Sequence, residues 1–174
     1  MLKFRKALAS DIENIEKIYL DIHTAEEEGV TQTGWKRGIY PVRNTAEMAL
    51  GRDDLFVAED GTDVVGAAII NKLQLDEYRG APWQFAAEDT EVMVLHTLVI
   101  SPKSFGKGYG KRFAEFYEEY ALAQGCKTLR IDTNDTNKRA RQMYNKMGYR
   151  EVCTVGCTFN GLEGIDLVLL EKKL

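Results

Sequence analysis

Residues 91–100, EVMVLHTLVI, constrain the fold more than any other stretch of the chain. They are almost unbroken strand formers, the pattern of a strand covered on both faces in the middle of a sheet. Pro102 follows, and then SFGKGYGKRF (104–113), with glycines at alternate positions 106, 108 and 110. From there Tyr109, Phe113, Phe116, Tyr117 and Tyr120 recur at helical spacing, with Lys111, Arg112, Glu115, Glu118 and Glu119 opposite. Strand, glycine loop and amphipathic helix in this order bring unpaired amides and the positive end of a helix dipole to one spot, which suits a phosphate. Lys103, Lys107, Lys111 and Arg112 add local positive charge to a chain of net charge −4.

Two phosphate-binding patterns fail here. A P-loop requires G-x-x-x-x-G-K-[ST], but Gly110-Lys111 is followed by Arg112 and position 105 is Phe. A dinucleotide-binding turn requires G-x-G-x-x-G early in the chain and an acid about 20 residues on. Asp132 stands at a suitable distance, but the spacing is G-x-G-x-G and three strands precede the one that leads into the loop.

The remaining elements follow from periodicity. LKFRK (2–6) alternates as a first strand, and Ser10 with Glu13 forms a capping-box pattern. It opens a helix carrying Ile12, Ile15, Ile18, Tyr19 and Ile22 on one face. An irregular loop (30–44) and a short helix near 44–51 come next. LFVAED and VVGAAIINKL read as a hairpin about Gly61. Residues 76–90 are irregular. After the glycine loop and its helix, closed by Gly125, KTLRIDT is a strand and NKRARQMYNKMG an amphipathic helix closed by Gly148. YREVCTV and IDLVLLEKK are two last strands paired across FNGLEG. The order β-α-α-β-β-β-α-β-α-β-β predicts an α/β (α+β) fold, a mixed sheet with helices on both sides, and one domain over 1–174.

Composition narrows the function classes. With 44% hydrophobic and 29% charged residues the 174-residue chain can bury a core and is not disordered. No apolar run is long enough for a membrane span. The N-terminus turns to charge too soon for a signal peptide. Cys126, Cys153 and Cys157 are an odd count without zinc-like spacing, so they read as reduced thiols of a cytoplasmic protein with no metal. The acidic balance argues against nucleic acid as a partner.

VLHTLVISPKSFGKGYGKRF resembles the acetyl-CoA-binding motif of the GNAT superfamily of N-acetyltransferases, a strand, then [QR]-x-x-G-x-[GA], then a helix. Gly108 and Gly110 take the two small-residue positions, while Phe105 departs from the usual Gln or Arg. NKRARQMYNKMGY is similar to the family's N-x-x-A-x-x-x-Y-x-x-x-G-[FY] segment at Asn137, Ala140, Tyr144, Gly148 and Tyr149. The resemblance implies a mostly antiparallel sheet of about seven strands. It implies acetyl-CoA as co-substrate, with Phe105, Gly106, Lys107, Gly108, Tyr109, Gly110 and Lys111 around its pyrophosphate. It also implies backbone pairing of Leu98, Val99 and Ile100 with the pantetheine arm, Asn137 as a further cofactor contact, and Tyr144 as the acid for the leaving thiolate.

Acetyl transfer also needs a deprotonated amine. His96, with an ordinary pKa of about 6.5, is one candidate base on the central strand. Glu91 at the start of that strand is its rival, alternation puts the two on opposite faces, and water or the substrate's own pKa remains a third choice. Acceptor recognition is expected from the first helix and from the 23–41 and 76–85 segments. Trp35, Tyr40, Trp83 and Phe85 could wall a pocket, and Glu26, Glu27 and Glu28 form either a cation-attracting patch or a solvated helix end. The acceptor is an amine-bearing small molecule or peptide, and a homodimer is left open. Two other readings remain at this point: a CoA-binding sensor without transfer, and a nucleotide-binding module using Asp132 for a ribose.

Overall fold

The computed structural model describes residues 1–174. Seven strands and four α-helices alternate in the expected order: β1 Leu2–Lys6, α1 Ile12–Glu27, α2 Arg43–Gly51, β2 Leu55–Asp60, β3 Asp63–Asn71, β4 Val92–Ile100, α3 Tyr109–Ala123, β5 Thr128–Asn134, α4 Lys138–Lys146, β6 Arg150–Phe159 and β7 Leu162–Lys173. They form one sheet of order β1-β2-β3-β4-β5-β7-β6. Every pair is antiparallel except β4 with β5. Parallel neighbours need a crossover, and α3 supplies it.

Helices cover both faces, because the strands between them are apolar on both sides. On one face Phe113, Tyr117 and Ala121 of α3 and Tyr144 of α4 pack on Phe56, Ile70, Met93, Leu95 and Ile131. On the other, Ile15, Tyr19 and Ile22 of α1 and Ala46 and Ala49 of α2 pack on Val57, Ala67, Ile69 and Val99. A third cluster on that second face, around Val92, Val94, Leu167 and Leu169, is closed by Tyr40 and Tyr78 from loops rather than by a helix. No helix is long and apolar enough to cross a membrane.

Several local expectations are corrected. A 3-10 turn, Ala9–Asp11, precedes α1, and Asp11 replaces the Ser10–Glu13 box. Its carboxylate accepts from the Leu8 amide at 2.7 Å and from Arg5 at 2.7 Å. β3 ends at Asn71, two residues early, because the Asn71 side chain accepts the Leu73 amide at 2.9 Å and turns the chain out of the sheet. The last hairpin is tighter than FNGLEG suggested. Phe159 pairs with Leu162 across Asn160-Gly161, both at positive φ, the conformation an Asn-Gly turn favours.

One irregularity shapes the site. Ala67 pairs with Val99 but Ile69 pairs with His96, so β4 carries an extra residue opposite β3. Thr97, at φ 50°, occupies this bulge. The extra residue inverts the alternation, so Leu98 and Ile100 pack on the α3 side with Met93 and Leu95. β4 and β5 then separate. Their pairing ends at Leu95 with Ile131, although β4 continues to Ile100 and β5 to Asn134.

Candidate active site

The fork opened by the bulge is the entrance to the site. Beyond Leu95 the outer edge of β4 has no strand beside it, so its backbone groups there require water or a ligand. A cleft of about 500 Å³ runs along this edge. Leu98, Val99 and Ile100 line it, with Phe105, Gly106, Gly108, Tyr109, Gly110 and Lys111 from the glycine loop and Asn137 and Tyr144 from α4. Lys107 stands outside, its ammonium over the Tyr109 ring at 5.6 Å.

The glycine loop forms one end of the cleft, where free amides at a helix N-terminus suit an anion. Gly108, at φ 76°, is the N-cap of α3, a left-handed conformation in which glycine is unstrained. The first intrahelical bond there is Arg112 N–H to the Gly108 carbonyl at 3.2 Å. The amides of Tyr109, Gly110 and Lys111 therefore have no helical acceptor. A Tyr109 hydroxyl bond to Asp60 at 2.5 Å ties this turn to the end of β2. Lys138 and Arg139 of α4 join Lys111 in lining the cleft, and the Arg139 guanidinium lies 4.9 Å from the centre of the Phe105 ring. Phe105 thus takes its cation from a neighbouring helix. Lys138 and Arg139 were missed in the sequence, although cations in the first turn of a helix oppose its dipole and so mark an anion site.

A narrower recess of about 90 Å³ adjoins the cleft at the fork. Thr33, Trp35, Leu98, Asn137, Ala140 and Tyr144 line both spaces. Tyr40, Thr97, Asp132, Phe159, Leu162 and Leu167 line the recess alone. Burial, then the nearby Asp132 charge, raises the Tyr144 phenol above its ordinary value, so it stays protonated at neutral pH. Burial pushes Tyr40 up to about 12, with its hydrogen bond to Thr97 acting against the rise.

His96 also borders the recess, but its ring is engaged elsewhere. Nε2 lies 3.1 Å from both the Asn71 Oδ1 and the Leu73 carbonyl. Two acceptors require that nitrogen to carry the proton. Burial pulls the imidazole down to about 4, with the Leu73 contact acting against it. Glu91 lies outside β4 in a 3-10 turn, where its carboxylate accepts the Glu88 amide at 3.1 Å. Of the expected aromatic walls, Trp35 and Tyr40 reach the recess. Trp83 instead stacks on Arg130 at 4.1 Å, and Phe85 lies near Lys173 at 5.8 Å.

Within the acidic run, Glu26 and Glu27 are engaged locally. Glu26 accepts from Thr31 Oγ1 (2.7 Å), Thr33 N–H (2.8 Å), Thr33 Oγ1 (2.9 Å) and Gly34 N–H (2.9 Å). Glu27 pairs with Arg37. Residues 31–34 form a strap across the mouth of the fork. Gly34 presses so closely on Asn134 that an added Cβ would lie 2.3 Å from its Nδ2. The Thr136 hydroxyl donates to the Gln32 carbonyl at 3.3 Å. The arrangement suits a molecule with an anionic end, a long slim arm and a reactive tip under the strap.

The family model of the acetyltransferase (GNAT) family matches residues 12–149. The chain belongs to the GNAT family. This GNAT chain is 33% identical over 60 residues to the uncharacterized N-acetyltransferase YhfO of Bacillus subtilis, covering 34% of the chain and 40% of that protein. It is 33% identical over 58 residues to thialysine N-epsilon-acetyltransferase of Bos taurus, covering 33% and 34%. It thus spans well under half the length of these curated relatives. Among solved structures, a GNAT-family acetyltransferase from Streptococcus agalactiae superposes with TM-score 0.78 at 20% identity, over 99% of this chain and 95% of that one. The Salmonella typhimurium protein yncA, solved with its cofactor acetyl-CoA, superposes with TM-score 0.70 at 16% identity, over 100% and 94%.

Proposed function

We propose that residues 1–174 form one domain, an acetyl-CoA-dependent N-acetyltransferase that acts on a primary amine of a small molecule or peptide by direct transfer. The fork between β4 and β5 carries this reading. It joins an unpaired strand edge, a cationic helix terminus and a buried phenol in one continuous space. Acetyl-CoA supplies an activated acetyl group on a thiolate leaving group. The amides of Tyr109 to Lys111, with Lys111, Lys138 and Arg139, hold its phosphates. Gly106 and Gly108 keep side chains out of their way. Leu98, Val99 and Ile100 offer their outer backbone groups to the arm as a neighbouring strand would. Asn137, which caps α4 through its bond from the Ala140 amide at 3.2 Å, flanks the arm near its tip. Tyr144 donates its proton to the leaving sulfur. The amine class is supported by the family and by the relative named for thialysine.

Calorimetric titration of acetyl-CoA tests the cleft. In Gly110→Glu the new Cβ has ordinary contacts, 3.5 Å from Met143 Sδ and 3.8 Å from Ile100 Cγ1, so the fold should hold. The added carboxylate enters the phosphate end and should weaken binding by about 100-fold or more. Unchanged affinity in a folded variant contradicts the assignment.

A further inference from the structure

Asp132 is the first residue of β5 beyond the point where β4 leaves it, since the last pair is Leu95 with Ile131. It stands in the crotch of the fork and lines the recess beside Tyr144. The Tyr78 hydroxyl donates to its Oδ2 at 2.8 Å. No cation meets it. The groups that act on Asp132, or on which it acts, are Tyr78 and Glu77 from the 76–78 turn, Tyr40 from the α1–α2 loop, Tyr144 from α4 and Cys157 from β6. Arg130, two residues earlier on the same face, turns to Trp83, Gln74 and the fully buried Glu171 instead. An amide would serve Tyr78 as well without the cost of a charge. Asp132 is half-buried and has no cation beside it among these phenols and apolar walls, an arrangement that a cationic ligand would complete.

We propose that Asp132 is the acceptor-side catalytic residue, pairing with the ammonium group of a slender alkylamine in the recess and taking its proton. The inference rests on the N-acetyltransferase reading and names the amine's partner within it. The narrow recess and its walls of Trp35, Tyr40, Phe159, Leu162 and Leu167 suit an unbranched hydrocarbon arm. One ammonium proton passes to Asp132. The nitrogen lone pair then forms the bond to the acetyl carbon as the carbon–sulfur bond breaks. The sulfur takes the proton of Tyr144, and the second proton shed by nitrogen restores Tyr144. Asp132 returns its proton to water, so one ammonium and one thioester give one amide, one thiol and one proton. Burial, opposed by the Tyr78 bond and reinforced by Glu77, raises the Asp132 carboxyl to about 6. It is therefore ionised at pH 7 yet a stronger base than an ordinary carboxylate.

The test is the pH dependence of kcat/KM with n-butylamine, 1,4-diaminobutane, L-lysine and L-methionine, in wild type and Asp132→Asn. The wild-type profile should rise with a midpoint near pH 6 to a plateau above it. The variant should lose about 10²- to 10⁴-fold at pH 7 and recover about tenfold per pH unit toward the amine's own pKa near 10, because only preformed free amine then reacts. Calorimetry should show unchanged acetyl-CoA affinity and weakened amine binding. A deficit equal at every pH, an unaltered profile, or loss of the acid limb in His96→Gln instead would overturn the assignment. Wild-type acetyl-CoA binding without turnover of any amine would overturn the N-acetyltransferase reading itself, and this inference with it. A carbon-13 NMR titration of the Asp132 carboxyl in wild type needs no variant. It should show a transition near 6 that shifts on adding 1,4-diaminobutane, and an unmoved resonance at saturating amine contradicts the proposal.

Discussion

Tyr144 occupies the seam between cleft and recess, and this position makes its hydroxyl separable from its ring. The ring packs T-shaped on Tyr149 at 5.6 Å and belongs to the core under α4. Tyr144→Phe keeps that packing, so stability and acetyl-CoA affinity should change little. Turnover should fall by about 10²- to 10⁴-fold if the hydroxyl is the acid, which single-turnover acetyl transfer measures. A wild-type rate would return Tyr144 to the core. Its helical spacing from Asn137 was legible in the sequence. The engagement of His96 was not, because it depends on Asn71 and Leu73 at the far end of another strand, brought close only by the β3–β4 pairing. Asp132 was legible only as an acid at a certain distance from the glycines. Its setting comes from burial in the fork and from Tyr78 and Glu77 on the 76–78 turn, which only the fold brings to β5. Cys126 is fully buried, and burial raises Cys153 and Cys157 above the ordinary thiol range.

At the scale of elements, the bulge at Thr97 and the strap at 31–34 decide the geometry. Simple alternation along β4 would put His96, Leu98 and Ile100 on one face; the extra residue sends the last two to the other. A β-branched threonine at φ 50° gives no sequence warning, since that conformation favours glycine and asparagine. The strap was equally hidden, because its organiser, Glu26, looks like any helix-end glutamate until Thr31, Thr33 and Gly34 fold back onto it. Losing those bonds in Glu26→Ala should cost roughly 1.5 kcal/mol, the low end for bonds to a charge because the carboxylate is partly open to water. That lowers Tm by about 3–6 °C for a chain of this size, and binding of both acetyl-CoA and amine should weaken, since Thr31, Gln32 and Thr33 line the cleft and Thr33 the recess as well. The bonds to the strap outweigh burial and hold the folded pKa of Glu26 below its ordinary value. The strap's contribution is therefore fully present above about pH 4.3, the unfolded value, and is lost as pH falls through the folded pKa. A thermal melt series across acid pH, run beside the Ala variant, should show the two curves converge at low pH; a constant gap contradicts the assignment.

Across the whole molecule, the order of elements carried most of the fold, because each had its own period and its own punctuation. Pro102, Gly125, Gly148 and Asn160-Gly161 mark boundaries that the structure keeps. The site divides by charge along the fork. Lys111, Lys138 and Arg139 stand at one end, and Asp132, with Glu77 acting on it, at the other. Such a division suits an anionic donor and a cationic acceptor entering from opposite sides and meeting at Tyr144. The most direct test is release of free CoA from acetyl-CoA with the four-amine panel, with the acetylated product identified by mass spectrometry. Release should need both acetyl-CoA and an amine, and the product should carry one acetyl group on nitrogen. Acetyl-CoA binding without amine-dependent release from any member of the panel would contradict the N-acetyltransferase reading and leave the cleft as a binding site alone.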